Sequence, residues 1–500
     1  MHCNNQAKKL IAEISEQSLI NDFTLSKNDF QSIWGHDEAG QYIGWFDAPN
    51  NTKIISDIKN FITQENINLF KNLIFLGIGG ATITSEVLME MLPHKDKKQI
   101  KILDNIEPSE LNNIANNIEV KSTLFIVISK SGNTIETLSQ LSFFWNHFPF
   151  PKQYIAITEK NSTLDELSVK NNFLKIFYTP KNIGGRFASL SYFGLIPAIL
   201  FGIDIEKFIN VTKKIKKQYE LNQHCNDASN LGALIGRSIQ KNIQNIIILV
   251  PTQFEYFAKW IEQLVAESLG KNKLGIIPII YFEKDTVNIN TDNAIIIDYS
   301  KDQNHEYNCP TIRMDIRDVS TISVELYMWQ VAVAYSGQLL KINPFNQPDV
   351  EIVKIDENNI TNNQEIKITN RLTNNFFNQA KLHKKCIHIL SFGAKNIDYI
   401  NQLHNYKNKI AATYNVQVTL QFGPRYLHSV GQLHKGGRID SSFIIINNIQ
   451  EFDTKVPNAN FTFNQIISAQ MNNDAHHLYK QKKDVVIITF DDLSAVIDQI

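Results

Sequence analysis

Cysteine is scarce in this 500-residue chain, which contains four: Cys3, Cys225, Cys309 and Cys386. None belongs to a Cys-x-x-Cys pair, and the spacings between them are wide. Neither a disulfide framework nor a zinc ribbon is therefore expected. Reduced thiols are typical of an intracellular compartment, and we expect a cytoplasmic protein.

Neither sign of charge is in excess, because 49 basic residues balance 50 acidic ones and leave a net charge of −1. A chain with neither a basic surplus nor an acidic tail gives no reason to expect a nucleic-acid partner. The first residues lack the apolar core of a signal peptide. The most apolar stretch, 190–205, contains Pro197 and Gly202 and is too short to span a membrane. We interpret it as a buried helix and expect no membrane partner.

Short apolar runs alternate with amphipathic stretches from about residue 70, and this pattern starts again near 230. Alternation of this kind is typical of a doubly wound parallel sheet. We predict an α/β fold with two tandem flavodoxin-like lobes and a smaller C-terminal α/β lobe. The predicted divisions are a helical arm at 1–50, a first lobe at 51–205, a second lobe at 206–356, a connection at 357–383 and the C-terminal lobe at 384–500.

Individual elements follow from the same periodicity. Strands are predicted at 72–76, 100–103, 124–129, 154–158, 245–250, 276–281, 294–298, 386–390, 416–421, 443–446 and 485–490. Helices are predicted at 84–92, 134–145, 229–239, 255–269 and 323–340.

A glycine turn, Gly-Ile-Gly-Gly at 77–80, comes between a predicted strand and a predicted helix. Glycines at such a turn let backbone amides approach an anion at the positive end of the helix. Asp104 ends the next strand, so a dinucleotide site is one interpretation. However, Thr82 stands where the third glycine of a Gly-x-Gly-x-x-Gly motif is needed. A plain tight turn explains these residues equally well.

A second turn, Ser-Lys-Ser-Gly-Asn-Thr at 129–134, also ends a predicted strand and begins a helix. Hydroxyls and backbone amides at one helix start form a good phosphate cradle. The alternative is N-capping by Ser131 or Thr134. Capping requires one hydroxyl rather than three within six residues, so we favour phosphate binding.

Other candidate residues are polar groups beside glycine or on one helix face. Arg186 follows Gly184 and Gly185, and a buried Arg needs an anionic partner. Gln263 and Glu267 share one face of a helix, because they are four residues apart. Each has a structural alternative, which is a salt bridge for the Arg and a solvated helix face for the Glu.

Two later loops carry further candidates. Gln347 lies in the proline-flanked loop 343–351, with Lys354 seven residues after it. A rigid loop with an exposed Lys is the alternative there. His428 lies in a glycine-flanked loop. The spacing of histidines there offers too few ligands for a metal site, so proton transfer is our interpretation of His428.

Taken together, the strings GIGG, SKSGNTIET, GGRFAS, AESLGK, NPFNQPDVE and LHSVGQ resemble the signatures of the glucose-6-phosphate isomerase family, which is built from sugar-isomerase (SIS) domains. They extend over 77–432. In ordinary members the His motif precedes the NPFDQ-like motif, whereas His428 follows it here. That order resembles the isomerase half of transaldolase–isomerase fusions.

The resemblance implies a role for each candidate. Glu267 would move the proton between C1 and C2, and Arg186 would stabilise the enediolate. His428 and Lys354 would assist ring opening. The remaining predicted substrate-binding residues are Gly79, Gly80, Ser129, Lys130, Ser131, Thr134, Gly185, Gln263 and Gln347. Ala81 departs from the family, which usually has Ser after GIGG.

The reaction that the resemblance implies is reversible isomerisation of glucose 6-phosphate to fructose 6-phosphate, with no metal or cofactor. A variant that also accepts mannose 6-phosphate is one alternative. A non-catalytic sugar-phosphate-binding protein is another, and Thr82 disfavours a nicotinamide dehydrogenase. The expected partner is a small sugar phosphate. We expect a homodimer, with a monomer as the alternative. In family dimers the His comes from the neighbouring subunit, so its origin here is left open.

Overall fold

A computed structural model describes residues 1–15, 33–35, 37–91, 99–221, 226–283, 289–301, 305–316, 319–351, 360–361, 372–437 and 441–499. Lys354 and part of the predicted connection lie outside these residues. The strands are β1 His2–Cys3, β2 Asn72–Leu76, β3 Gln99–Leu103, β4 Thr123–Ile128, β5 Tyr154–Thr158, β6 Lys175–Tyr178, β7 Asn245–Val250, β8 Ile277–Phe282, β9 Ala294–Asp298, β10 Thr311–Arg313, β11 Cys386–Gly393, β12 Val418–Gly423, β13 Ser441–Asn448 and β14 Asp484–Ile488.

Helices pack around the sheets formed by these strands. They are α1 Asn5–Ser15, α2 Thr52–Gln64, α3 Ile83–Glu90, α4 Pro108–Asn117, α5 Ile135–His147, α6 Thr163–Lys170, α7 Tyr192–Leu200, α8 Ile205–Leu221, α9 Asp227–Gln240, α10 Glu255–Leu269, α11 Val319–Leu340, α12 Pro348–Glu351, α13 Asn374–Leu382, α14 Ile397–Tyr414, α15 Gly431–Gly436, α16 Phe463–Lys480 and α17 Phe490–Ile497. Across the described residues, none of these helices is long and apolar enough to cross a membrane.

The first sheet has the strand order β3-β2-β4-β5-β6, and all its pairings are parallel. The strands β4 and β5 are buried along their whole length, as expected for a sheet covered by helices on both faces. The chain leaves β2 toward β3 and returns on its other side as β4. Ligands bind at such a switch point, beyond the carboxyl ends of the strands. The turns at 77–80 and 129–134 both lie there.

The second sheet has the order β1-β10-β9-β7-β8. Its strands are parallel except β1, which pairs antiparallel with β10 through His2 and Arg313. The start of the predicted arm thus contributes an edge strand to this sheet. After β7 the chain turns into α10, which is buried along most of its length and carries Gln263 and Glu267.

The third sheet, with the order β12-β11-β13-β14, is parallel throughout. A short helical turn, Arg425–His428, follows β12 and carries His428. Three mostly parallel sheets with surrounding helices confirm the predicted α/β class with two larger lobes and a smaller C-terminal lobe. The exact boundaries between lobes stay a prediction.

The single helix predicted at 190–205 is wrong in its extent. The structure has two helices there, because α7 ends at Leu200 and α8 begins at Ile205. Gly202 between them has φ +83°, a left-handed conformation that glycine adopts without steric cost and that ends a helix.

Candidate active site

A cavity of about 770 Å³ opens where the first sheet, α10 and the Arg425–His428 turn meet. Predicted residues line much of it: Gly80, Ser129, Lys130, Ser131, Thr134, Gly185, Arg186, Gln263, Glu267, Gln347 and His428. Gly79 contacts the His428 turn instead, since a Cβ added to it would lie 2.5 Å from the Cβ of His428. Residues from all three sheet regions therefore meet at one site. Lys354 lies outside the described residues.

Glu267 is the central carboxylate of the cavity. It lies in the last turn of α10 and is 8% exposed. Its Oε1 is 2.8 Å from Arg186 Nη1, and its Oε2 accepts a hydrogen bond of 3.0 Å from Gln263 Nε2. A buried carboxylate at the negative end of a helix is unfavourable unless a cation pairs with it. Arg186 supplies that cation, so the solvated-face alternative does not describe Glu267.

Arg186 is held by every arm of its guanidinium. Besides Glu267, Nη1 contacts Gln347 Oε1 at 2.7 Å, and Nε donates to Ser268 Oγ at 3.1 Å. Nη2 donates to backbone carbonyls of the 343–351 loop. Burial lowers the pKa of Arg186, and Glu267 acts in the opposite direction. Its planar, five-donor geometry suits this role better than a Lys would.

Lys271 lies behind the same loop and is 2% exposed. Its ammonium donates to the carbonyl oxygens of Asn343 and Asn346, at 2.8 and 2.5 Å. Burial lowers the pKa of Lys271 well below its ordinary value, and the charge of Arg186 adds to this effect. Lys271 therefore anchors the loop that presents Gln347 to Arg186.

The turn at 129–134 folds on itself. Ser129 Oγ lies 3.0 Å from Thr134 Oγ1 and accepts the backbone N–H of Gly132 at 3.1 Å. Thr134 is the N-cap residue of α5, but its side chain makes no capping hydrogen bond. Ser131 is exposed. The hydroxyl groups at this helix start are thus arranged around the cavity, as a phosphate cradle requires.

His428 reaches the cavity of its own chain. Its Nε2 lies 2.7 Å from Oε1 of Glu136, and its backbone carbonyl accepts a hydrogen bond of 2.6 Å from Gln263 Nε2. Glu136 is 1% exposed. Burial raises the pKa of this carboxyl, but His428 and the hydrogen bonds it accepts outweigh burial, and the net pKa is lowered. The surroundings of Glu136 therefore favour its ionised carboxylate form opposite the His428 imidazole.

An ion network fastens the His428 turn to the first sheet. Arg425 donates to Glu86 Oε1 on α3 at 2.7 Å and also pairs with Asp104, which follows β3. Glu86 and Asp104 are 3% and 8% exposed. Asp104, considered above as part of a dinucleotide site, is thus engaged in a structural ion pair. This arrangement disfavours the dinucleotide interpretation.

Comparisons with known proteins bear on this geometry. The family model of phosphoglucose isomerase matches residues 59–297. A probable glucose-6-phosphate isomerase of Methanococcus maripaludis is 26% identical over 406 residues, which cover 70% of this chain and 87% of that protein. A glucose-6-phosphate isomerase of Mycoplasmopsis pulmonis is 28% identical over 386 residues, covering 63% and 89%. This chain is therefore similar to phosphoglucose isomerases over much of its length.

A solved structure agrees with that similarity at the level of fold. The crystal structure of a glucose-6-phosphate isomerase from Chlamydia trachomatis superposes with a TM-score of 0.55 at 17% identity, covering 69% of this chain and 84% of that one. The match to the phosphoglucose isomerase model contains Glu136, Arg186 and Glu267 but ends well before His428. The C-terminal lobe lies outside that match, so its part in the site is inferred from its own contacts.

Several residues of the site were missed from the sequence. Glu136 and its second partner Gln470 are separated by 334 positions, and Glu136 and His428 by 292. No periodicity or motif links residues so far apart. The one available signal was Glu136 itself, an acid in the first turn of α5 beside the phosphate turn. Within the described part of the chain, no group of three or more His, Cys, Asp or Glu side chains is arranged to hold a metal.

Proposed function

We propose that this protein interconverts glucose 6-phosphate and fructose 6-phosphate by proton transfer through a cis-enediol. The observation that carries the proposal is the Glu267 carboxylate, buried at the cavity wall between Arg186 and Gln263. It combines a base with a fixed positive charge. Both are needed for removal of a proton next to a carbonyl group.

The chemistry balances within the substrate. In the open-chain aldose, Glu267 removes the proton from C2, and the electron pair moves to the C1 carbonyl to give an enediolate. The positive charge of Arg186 opposes the negative charge that develops on the enediolate oxygens. A proton passes from the C2 hydroxyl to the C1 oxygen, Glu267 returns its own proton to C1, and the C2 oxygen becomes the ketone. No electron leaves the sugar, so the step needs no redox partner.

Ring opening is assigned to His428, with Lys354 as its predicted partner. Glu136 accepts a hydrogen bond from Nε2 of His428. The carboxylate stabilises the imidazolium form that can protonate the ring oxygen. Because the cavity and the imidazole belong to one chain, ring opening and isomerisation occur at the same site.

The phosphate end of the substrate is assigned to the turn at 129–134. Its hydroxyls and the start of α5 face the cavity, and an anion there is favoured by the helix dipole. Lys130 is paired with Glu159. The affinity of this turn for phosphate therefore depends on hydroxyls and amides as well as on the Lys charge.

Two alternatives remain as outcomes of the test. A sugar-phosphate-binding protein without activity would not need Glu267 ion-paired to Arg186. Activity on mannose 6-phosphate depends on which face of C2 Glu267 reaches. We also propose the cytoplasm as the location, because the cysteines are sparse and form no Cys-x-x-Cys pair. The family resemblance leads us to propose a homodimer, with a monomer as the alternative.

The deciding experiment is turnover of glucose 6-phosphate by the purified chain without added metal or nucleotide. Formation of fructose 6-phosphate, and its loss in Glu267→Gln with retained sugar-phosphate binding, is the expected result. Binding without turnover in the unaltered chain would overturn the proposal in favour of a binding protein. Mannose 6-phosphate as a parallel substrate tests the stereochemical alternative. Rates that scale linearly with enzyme concentration across the range where light scattering shows dissociation indicate that one chain suffices.

A further inference from the structure

The helix α16 of the C-terminal lobe passes beside the Glu136–His428 pair. Its residue Gln470 is 6% exposed and donates from Nε2 to Oε1 of Glu136 at 2.6 Å. The same carboxylate oxygen receives Nε2 of His428 at 2.7 Å. One oxygen of a buried carboxylate thus accepts two hydrogen bonds, from the His428 turn and from α16.

The amide of Gln470 is oriented by the carboxylate. An ionised carboxyl group only accepts hydrogen bonds, so Nε2 must face Glu136. Gln470 Oε1 is buried and has no hydrogen-bond partner within the described ranges. A buried acceptor without a partner is unfavourable, and its presence indicates that the contact with Glu136 determines the position of this side chain.

We propose that Gln470 is a positioning residue for ring opening, which keeps Glu136 as a carboxylate aimed at Nε2 of His428. The proposal rests on the proposed function. Its physical basis is that a hydrogen bond to a charged acceptor stabilises the charged form and limits rotation of the carboxylate. Gln470 thereby links the C-terminal lobe to the proton chemistry through Glu136 and His428.

Other charged groups around Glu136 are few in the described structure, and most are paired with each other. His428 faces it directly. The remaining charged groups on this cavity wall and across the cavity are the Lys435–Asp474 ion pair on α15 and α16, the Lys130–Glu159 pair at the phosphate turn, the Arg186–Glu267 pair, and Glu38 and Glu351. Because these pairs are the same in every variant below, differences between variants report on Gln470.

The test compares Gln470→Met and Gln470→Glu with the unaltered chain. Methionine keeps the length but cannot donate, so kcat should fall about tenfold, the size expected for a hydrogen bond to a charged group. The KM for glucose 6-phosphate should stay within about twofold, since the phosphate turn is untouched. Glutamate puts a second carboxyl group in place of the amide, whose Nε2 lies 2.6 Å from Oε1 of Glu136. Two carboxyl groups so close together share a proton.

The pH profile separates positioning from a merely structural role. Losing the donor makes Glu136 more basic and also strengthens its attraction for the imidazolium, so both limbs of the kcat profile should move to higher pH. The displacement should be larger for Gln470→Glu than for Gln470→Met. Gln481→Met is the matched control, because Gln481 lies just after α16 and bonds Lys435 O and His477 away from Glu136. Its profile should not move.

A double-mutant cycle and a titration complete the design. In a Glu136→Gln background, Gln470→Met should have little further effect on kcat, since the acceptor charge is already gone. The NMR titration of the His428 imidazole should shift in Gln470→Glu even without turnover. That readout stands if the isomerase assignment itself fails. Unchanged profiles and titration in folded Gln470 variants, or an equal loss of kcat in the Glu136→Gln background, would overturn the proposal.

Discussion

The two ends of the cavity are built in opposite ways. The phosphate end is one turn of six residues, 129–134, whose hydroxyls and amides contact one another. The proton-transfer end draws Arg186, Glu267 and His428 from segments that are far apart in the chain and buries two of them almost completely. Anion binding therefore needs local order, whereas proton transfer needs a whole fold to bring charges together.

Burial explains the difference. A phosphate is held by partial charges at a helix start, which work even beside water. A base and its counter-charge interact far more strongly when water is removed, but each buried charge must then be paired. Arg186 accordingly has five hydrogen-bond or ion-pair partners from two segments, the end of α10 and the 343–351 loop. The pairing of charges in such a site therefore depends on the contacts between its segments.

Glu267→Gln has the largest expected effect, because it removes the proposed base from the proton-transfer end of the cavity. The phosphate end should stay intact. Glutamine keeps the shape of the side chain but cannot take the proton, so kcat should fall about a thousandfold, within the range for loss of a general base. The measurement is steady-state conversion of glucose 6-phosphate together with calorimetric sugar-phosphate binding, which should persist.

The control for that experiment is Glu255→Gln. Glu255 lies at the other end of the same helix in a half-exposed pair with Lys259, so its removal should leave kcat nearly unchanged. Equal activity of Glu267→Gln and the unaltered chain would show that the base lies elsewhere.

Arg425→Gln should disrupt the ion network that joins the His428 turn to the first sheet, without changing a residue that lines the cavity. It leaves Glu86 and Asp104 buried without their shared cation, and removal of one partner from a buried ion pair costs about 3 kcal/mol or more. The His428 turn should also loosen, lowering kcat more than it raises KM. Urea unfolding and steady-state kinetics measure both effects.

A matched change at the surface is Arg237→Gln, whose partner Glu13 lies 2.9 Å away with both side chains about a quarter exposed. Such pairs contribute about 1 kcal/mol or less. If the two Arg variants lose equal stability, the 425–428 turn is not fastened by its ion network.

The same contrast explains what the sequence could predict. The helix predicted at 255–269 is observed at Glu255–Leu269, and the 245–250 and 294–298 strands are observed as predicted, because apolar periodicity is a local property. The edge strand His2–Cys3 was missed, since its partner is 310 or so positions away. Glu136, Gln470 and the Arg425 network were missed for the same reason.

The placement of candidate residues follows that division. The phosphate turn could be predicted from the sequence, because its hydroxyl residues cluster at one helix start. For Glu267, sequence reasoning from the residue alone left a solvated face open, and only the contact with Arg186 removes it. The origin of His428 could not be decided at all, because it depends on how the third sheet docks onto the first.

Ser131→Ala should weaken the phosphate end alone. The hydroxyl is exposed in the cavity turn, and loss of one hydrogen bond to a charged phosphate should raise KM by about tenfold while kcat changes little. The matched control is Ser122→Ala, at the opposite end of β4, where the hydroxyl contacts Glu119 at 3.0 Å. A fall in kcat with unchanged KM would place Ser131 in the chemistry rather than in phosphate binding.

Ala81→Ser should have the smallest effect and acts where the two ends meet. Ala81 lines the cavity directly after the glycine turn, at the position where the family resemblance leads us to expect Ser. A restored hydroxyl can add one neutral hydrogen bond to the substrate, which corresponds to about a threefold decrease in KM. Steady-state kinetics at several substrate concentrations measure it. A rise in KM would mean that the space beside Ala81 is already filled by bound sugar, and that this chain has shaped its cavity around the smaller residue.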